Sequence, residues 1–445
     1  MSNSTQTLLR GAVLSFRGDP FLQPIDDAVF YCADGAVLIE AGRIVAAGSA
    51  ADVVARAAPA AVAIDYPHCI ISAGFIDTHV HYPQTQMIAS YGAQLLEWLE
   101  KYTFVVEQQF ADSMHAERIA EFFLRQLLRN GTTSAAVYCT VHPQSVDAFF
   151  AVSSRFNTLM VAGKVLMDRN APAPLLDTPT LAYEQSKILL EKWHGHGRQH
   201  YCITPRFAGT SSPAQLDVAA TLWREHPGTF LQTHLSENLR EVAWMRELFP
   251  EHKSYLDIYA HRGLVGPRSV FAHCVHIDEA DFQHLHAHGA AIAHCPTSNL
   301  FLGSGLFKLF DAKRADRPVR VGLGTDIGAG TSFSQLQSLN EAYKIAQLNG
   351  TPLAALRAFY LATRGGAEAL YLEDRIGSVE VGRDADLVVL DLRATELLKL
   401  RSDAAANLED LLFGLMMLGD DRAVRATYVA GDCVYDRERA GQFRA

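Results

Sequence analysis

Residues 74–81 read GFIDTHVH, and the rest of the chain is best read outward from this stretch. Its β-branched and aromatic residues, opened by Gly74, predict a strand. His79 and His81 then point to the same face, with Cα atoms ~6.5–7 Å apart, so both rings can reach a single metal ion. In helical or loop patterns the same spacing diverges. On that ground the pair His194/His196 and the series His284, His286, His288 read as solvated histidines.

Seven further strand candidates follow, at 132–138, 159–167, 200–207, 229–237, 269–276, 290–299 and 319–326. Between them lie helical patterns at 113–129, 180–194, 213–226, 238–249 and 278–288, several opened by Ser, Pro or Asp. Eight β–α units in succession predict a (β/α)8 TIM-like barrel over residues 71–372, within an α/β fold class. The ends read differently. AVLIEAGRIVAAG at 36–48 predicts a hairpin, and 377–392 and 426–436 predict strands broken at glycines. We expect a small β domain built from both chain ends, residues 1–70 and 373–445, against the alternative of two unrelated extensions.

At 445 residues, 49% hydrophobic and 20% charged, the chain has ample material for a core, which excludes disordered and fibrous classes. Its net charge of −10 lacks the basic footprint of a nucleic-acid or anionic-membrane binder, leaving a small molecule as the expected partner. The seven cysteines are scattered without a C-x-x-C pair, as in a reduced cytoplasmic protein. Arg10 interrupts the first apolar stretch, so no signal peptide is expected, and LLFGLMMLG at 411–419 is too short to span a bilayer.

Three more candidates join the first histidine pair. His234 ends the fifth strand candidate, His273 lies in the sixth and Asp326 closes the eighth. All map to the carboxyl rim, where barrel active sites lie. Four imidazoles and one carboxylate suit zinc better than magnesium or calcium, with iron or manganese left open. Glu237 follows His234 by three residues and is a candidate proton shuttle; the alternative is a carboxylate stabilised by a helix N-terminus. GLGTDI at 322–327 lacks the last glycine of a dinucleotide loop. No P-loop, nucleophile elbow or P-C-x-x-C zinc signature occurs, and Cys295-Pro296 does not replace the last of these.

The motifs GFIDTHVH, HCPTSN at 294–299, GLGTD at 322–326 and GSVEVGRDADLVVLD near the C-terminus together resemble the amidohydrolase superfamily. HVHYPQ at 79–84, LLEWLEKYTF at 95–104, PRF at 205–207, HLSEN at 234–238 and HCPTSNLFLGSGLF at 294–307 narrow the resemblance to its guanine deaminase branch. The resemblance implies one zinc per chain held by His79, His81, His234, His273 and Asp326. It implies proton transfer by Glu237 and Asp326, with His273 polarising the water. Gln84, Arg206 and Phe207 would hold the purine base beside His81, His234, Glu237 and Asp326. It also implies conversion of guanine to xanthine and ammonia by a homodimer.

Binuclear relatives carry a carboxylated lysine on the fourth strand. Here that strand candidate ends in Arg206 and Lys164 lies in the third, so Lys164 is expected to be buried or ion-paired. Tyr82 and Pro83 depart from the pattern and could reshape the pocket floor. For Arg206 a structural ion pair is the competing role, and for Gln84 a hydrated loop amide. Other rings remain open as substrates: 8-oxoguanine, pterins or triazines. A non-catalytic barrel would show lost ligands, and none is lost.

Overall fold

The computed structural model describes residues 6–92, 94–439 and 442–443. The first five residues of the stretch read for a signal peptide lie outside that range. Eight parallel strands form the barrel sheet: Phe75–His81, Thr132–Tyr138, Leu159–Gly163, Gln199–Pro205, Phe230–Leu235, Ser269–His273, Ala291–His294 and Arg320–Leu323. They follow in sequence order, as expected for consecutive right-handed β–α units.

The first and eighth strands meet where the chain leaves the sheet. Asp326 N donates to the His79 carbonyl at 2.9 Å, and Thr325 N donates to Asp77 Oδ1 at 3.0 Å. The glycines of GLGTD permit this approach: a Cβ on Gly322 would meet Thr78 Cγ2 at 2.3 Å, and one on Gly324 would meet His79 Cβ at 2.9 Å.

Helices cover the barrel. Ser113–Arg129 is capped by Asp112, whose side chain accepts from the backbone N–H groups of Met114 and His115. Its face Ile119, Phe123, Leu124 and Leu127 is buried at helical spacing. Emptying one such site, as in Phe123→Ala, costs about 3–5 kcal/mol. Inside the barrel, Ile76, Val161, Phe230 and Val270 pack with Leu370 and Ile376.

Both chain ends build one seven-stranded sheet, in the order Asp432–Asp436, Val424–Val429, Leu387–Asp391, Val62–Ala73, Thr7–Phe16, Val29–Glu40, Arg43–Ser49. Two unrelated extensions are thereby excluded. The expected hairpin at 36–48 is present as Val29–Glu40 with Arg43–Ser49. Thr7–Phe16 and Val62–Ala73, which pair in parallel, went unread in the sequence.

Some strands end earlier than expected. Of 377–392 only Leu387–Asp391 is strand; Asp384 and Asp386 just before it are turned onto the buried Arg198 guanidinium at the foot of the barrel. Of 290–299 only Ala291–His294 is strand, because Pro296 cannot donate to a ladder and instead opens the helix Pro296–Phe301. His194 is not solvated: its Nδ1 accepts from Tyr201 N at 3.1 Å. No described helix is long and apolar enough to cross a membrane.

Candidate active site

At the carboxyl rim the strands stop and the chain turns sharply. Ser236, His273, Cys274 and Asp326 all have positive φ, 50° to 71°, a conformation that costs a side-chain-bearing residue energy and clusters at functional sites. The turns at Ser236 and His273–Cys274 shorten the strand candidates 229–237 and 269–276, and together with that at Asp326 they aim these segments into one pocket.

His81, His234, His273 and Asp326 line the pocket with Gln84, Arg206, Phe207 and Glu237, around about 430 Å³ of space not filled by atoms. His79 is buried beside them, its Nε2 3.3 Å from Asp326 Oδ1. His81 Nε2 lies 3.4 Å from the same oxygen and 3.2 Å from His234 Nε2. His273 Nε2 lies 3.8 Å from Asp326 Oδ2 and 3.5 Å from Glu237 Oε2. The residues named in the sequence as metal-ligating, proton-transferring or base-binding therefore all fall at or against this one pocket.

The ring nitrogens are oriented from behind. His234 Nδ1 contacts the Arg206 carbonyl at 2.7 Å, and His273 Nδ1 contacts Asn299 Oδ1 at 2.9 Å. Each Nδ1 donates to its oxygen, which leaves Nε2 with a lone pair facing the centre. His79 Nε2, His81 Nδ1 and His273 Nε2 are buried without a hydrogen-bond partner. Burial pushes the His79, His81 and His234 rings below the usual imidazole range, toward the neutral form that ligation requires. The Nε2 atoms of His79, His81 and His273, 3.3–3.8 Å from the Asp326 carboxylate, form a donor set that fits a divalent transition metal.

Cys295, set aside in the sequence, also lies close: its sulfur belongs to a group with His79, His273 and Asp326 whose donor atoms lie within 4.8 Å of one another. Burial pushes its thiol pKa well up, and its S–H points at the Ala293 carbonyl, so it packs as a neutral thiol.

Two carboxyl groups in the pocket differ sharply. Burial, with the charges of Asp326 and Glu241, pushes Glu237 well above the ordinary carboxylate range and favours its acid form. Burial also opposes ionisation of Asp326, but the His79 and His273 rings outweigh it and bring the group down to about 2. Such a split assigns one acid and one base. Glu237 does not cap the following helix. Asn238 and Glu241 form the capping box of Leu239–Leu248, and Glu241 Oε2 accepts from Glu237 N at 2.8 Å, leaving the Glu237 side chain to the pocket.

Lys164 is buried and paired with Asp177. Tyr82 turns away from the pocket, donating to the Ser145 carbonyl at 2.7 Å and packing on Phe110 and Phe149, so it does not shape the floor. For Arg206 the structural ion pair is present, its Nη1 paired with the buried Glu107 at 2.7 Å, and the side chain also faces the pocket. Gln84 is buried, not a hydrated loop amide.

The sequence reading missed Glu107, Asn299 and Tyr138, whose ring packs 4.4–4.9 Å from those of His79, His81 and His234. Asn299 stood inside a quoted motif and Glu107 three residues beyond another, but nothing local marked either.

The Amidohydrolase family profile matches residues 70–434. The guanine deaminase of Escherichia coli (strain K12) is 51% identical over 93% of this chain and 94% of that one. A solved structure of E. coli guanine deaminase matches at TM-score 0.94 and 49% identity, covering 97% of this chain and all of that one. A guanine deaminase from C. acetobutylicum, solved with guanine in its active site, matches at TM-score 0.86 and 27% identity, again covering 97% of this chain and all of that one. The rim-centred barrel, the sheet built from both ends and these likenesses agree: the chain belongs to the amidohydrolase family, in its guanine deaminase branch.

Proposed function

We propose that this chain hydrolyses guanine to xanthine and ammonia, using one zinc ion held by His79, His81, His234, His273 and Asp326. The observation that carries this reading is the meeting of a histidine-rich floor, the Glu237 carboxyl group and the Gln84–Arg206–Phe207 wall in one pocket. The likeness to a structure holding guanine supports the choice of ring. When bound, the ion supplies Lewis acidity, which brings the acidity of water into the neutral range.

The remaining chemistry belongs to side chains of this chain. Phe207 walls the flat ring, Arg206 donates toward its carbonyl, and His81 and His234 bound the reacting side. Leu95, Trp98, Leu99 and Leu302 close the pocket with apolar surface and keep bulk water out. Asp326 takes a proton from the attacking water as its oxygen bonds to C2. Glu237 gives its proton to ring N3, so that C2 becomes tetrahedral. His273, between the two carboxyl groups, stabilises charge developing on the oxygen.

The amino group at C2 then takes the proton held by Asp326, the C2–N bond breaks and ammonia leaves. The hydroxyl proton left on C2 returns to Glu237 and restores its acid form. We further propose the division of the chain into residues 1–70 and 373–445 for the small β unit and 71–372 for the catalytic barrel. A cytoplasmic homodimer completes the proposal, on the general prevalence of two-fold assemblies, and sedimentation velocity tests it.

The test of the reaction is a panel of guanine, 8-oxoguanine, adenine, cytosine and a pterin, followed by ammonia release and product spectra. Guanine should turn over best and yield xanthine. Preference for any other ring would overturn the substrate.

A further inference from the structure

The wall that faces the ring is set by a residue that does not line the pocket. Residues 95–107 form one helical segment with a wide turn at Leu99–Thr103, such as often accompanies functional sites. Its first turns roof the pocket through Leu95, Trp98 and Leu99. Its last turn brings Phe104 and Glu107, three apart on one face, against Arg206. The Arg206 guanidinium carbon lies 5.7 Å from the centre of the Phe104 ring.

Glu107 is fully buried and accepts three hydrogen bonds. Arg206 Nη1 donates to Oε1 at 3.0 Å and to Oε2 at 2.7 Å, and Gln84 Nε2 donates to Oε1 at 3.1 Å. An ionised carboxylate can only accept, so it dictates which end of the Gln84 amide turns toward it. The amide nitrogen is committed to Glu107, and the carbonyl oxygen Oε1 has no partner among the described residues. Gly328 holds the amide from the other side: a Cβ there would strike Gln84 Oε1 at 2.2 Å. Arg206, tied through Nη1 alone, keeps its other N–H groups for the pocket.

We infer that Glu107 is a positioning residue that sets the polarity of the ring-binding wall, with Gln84 as acceptor and Arg206 as donor. The inference rests on the reading of this pocket as a guanine site. An acceptor beside a donor matches a lactam edge, in which a ring N–H adjoins a carbonyl, as at N1 and C6 of guanine. The amidine edge of adenine, a bare ring nitrogen beside an amino group, meets it with both partners reversed. Glu107 thus selects the edge without touching the ring. Replacing the carboxylate by an amide removes that dictate, because the new side chain can donate as well as accept, and the Gln84 amide can turn over.

The test compares Glu107→Gln with the unaltered enzyme, both loaded with metal, in guanine kinetics and in direct binding of hypoxanthine. That probe carries the same lactam edge but no amino group at C2. Glu107→Gln should raise KM for guanine and weaken hypoxanthine binding by at least about tenfold, while kcat falls less. Binding of adenine, which carries no leaving group at C2 in this pose and is read by affinity alone, should weaken less than that of hypoxanthine, so the ratio of the two affinities should narrow. A purely structural role predicts unchanged KM and hypoxanthine affinity for the folded fraction; values within about twofold of the unaltered enzyme overturn the inference.

If Glu107→Gln does not fold, Glu107→Asp carries the test. It keeps the charge but draws it back from both partners, and an unchanged KM there overturns the inference equally. Failure of the unaltered enzyme to turn over guanine or bind hypoxanthine marks a different fault, in the substrate reading itself, and both proposals then fall.

Discussion

The floor of the pocket and its wall are built by different means. Floor residues sit on or just past barrel strands, and their rings are locked by short contacts from the backbone or a neighbouring amide, as at His234 and His273. Wall residues come from connections: Gln84 from the turn Tyr82–Met87, Arg206 and Phe207 from just beyond Gln199–Pro205, the roof from residues 95–99. Gln84 and Arg206 are tied to one carboxylate, Glu107. The floor takes its precision from the sheet, whereas the wall takes it from a buried polar network, in which losing one member leaves the others unsatisfied.

The largest effect should come from the floor. His234→Ala should lose bound metal and abolish turnover while the barrel persists, as judged by metal analysis alongside circular dichroism. Retained metal and activity would detach this histidine from the site. Next is the acid: Glu237→Gln should keep metal and fold but lower kcat by about 10²–10⁴. Near-full turnover would end the shuttle assignment.

The wall should respond in a mixed way. Arg206→Ala removes a donor to the ring and also strands a buried Glu107 carboxylate. Guanine kcat/KM should fall by at least about tenfold, and stability should fall by about 3–5 kcal/mol. These two losses are not alternatives, because the same guanidinium faces both ways; intact thermal stability would mean that the Glu107 pair counts for little.

The smallest catalytic effect should come from the small sheet. Tyr66 and Tyr428 share a buried hydroxyl contact of 2.6 Å. Tyr428→Phe should cost about 1–3 kcal/mol of stability with kcat unchanged. A lowered kcat would show that the sheet reaches the site.

The same contrast explains what was legible in the sequence. The floor could be read because strand periodicity converts His79-x-His81 directly into geometry, and because eight β–α units specify which ends of the strands face the pocket. Two strand ends differ from the expected ones because the backbone turns left-handed at the rim, at Ser236 and at His273, where no glycine announces the turn. Thr7–Phe16 and Val62–Ala73 escaped because their pairing joins segments far apart in sequence. Gln84 and Arg206 were found only through family motifs. Glu107 was not found at all, for a glutamate in a helical stretch reads as a solvated face until the fold buries it.

The most direct measurement is a zinc titration of metal-free enzyme with guanine turnover as the readout. Activity should be absent after chelation, rise in proportion to added zinc and level off at about one ion per chain, the stoichiometry expected of four imidazoles and one carboxylate converging on a single centre. Guanine turnover by metal-free protein, or a plateau only at two tightly held ions, would contradict the account.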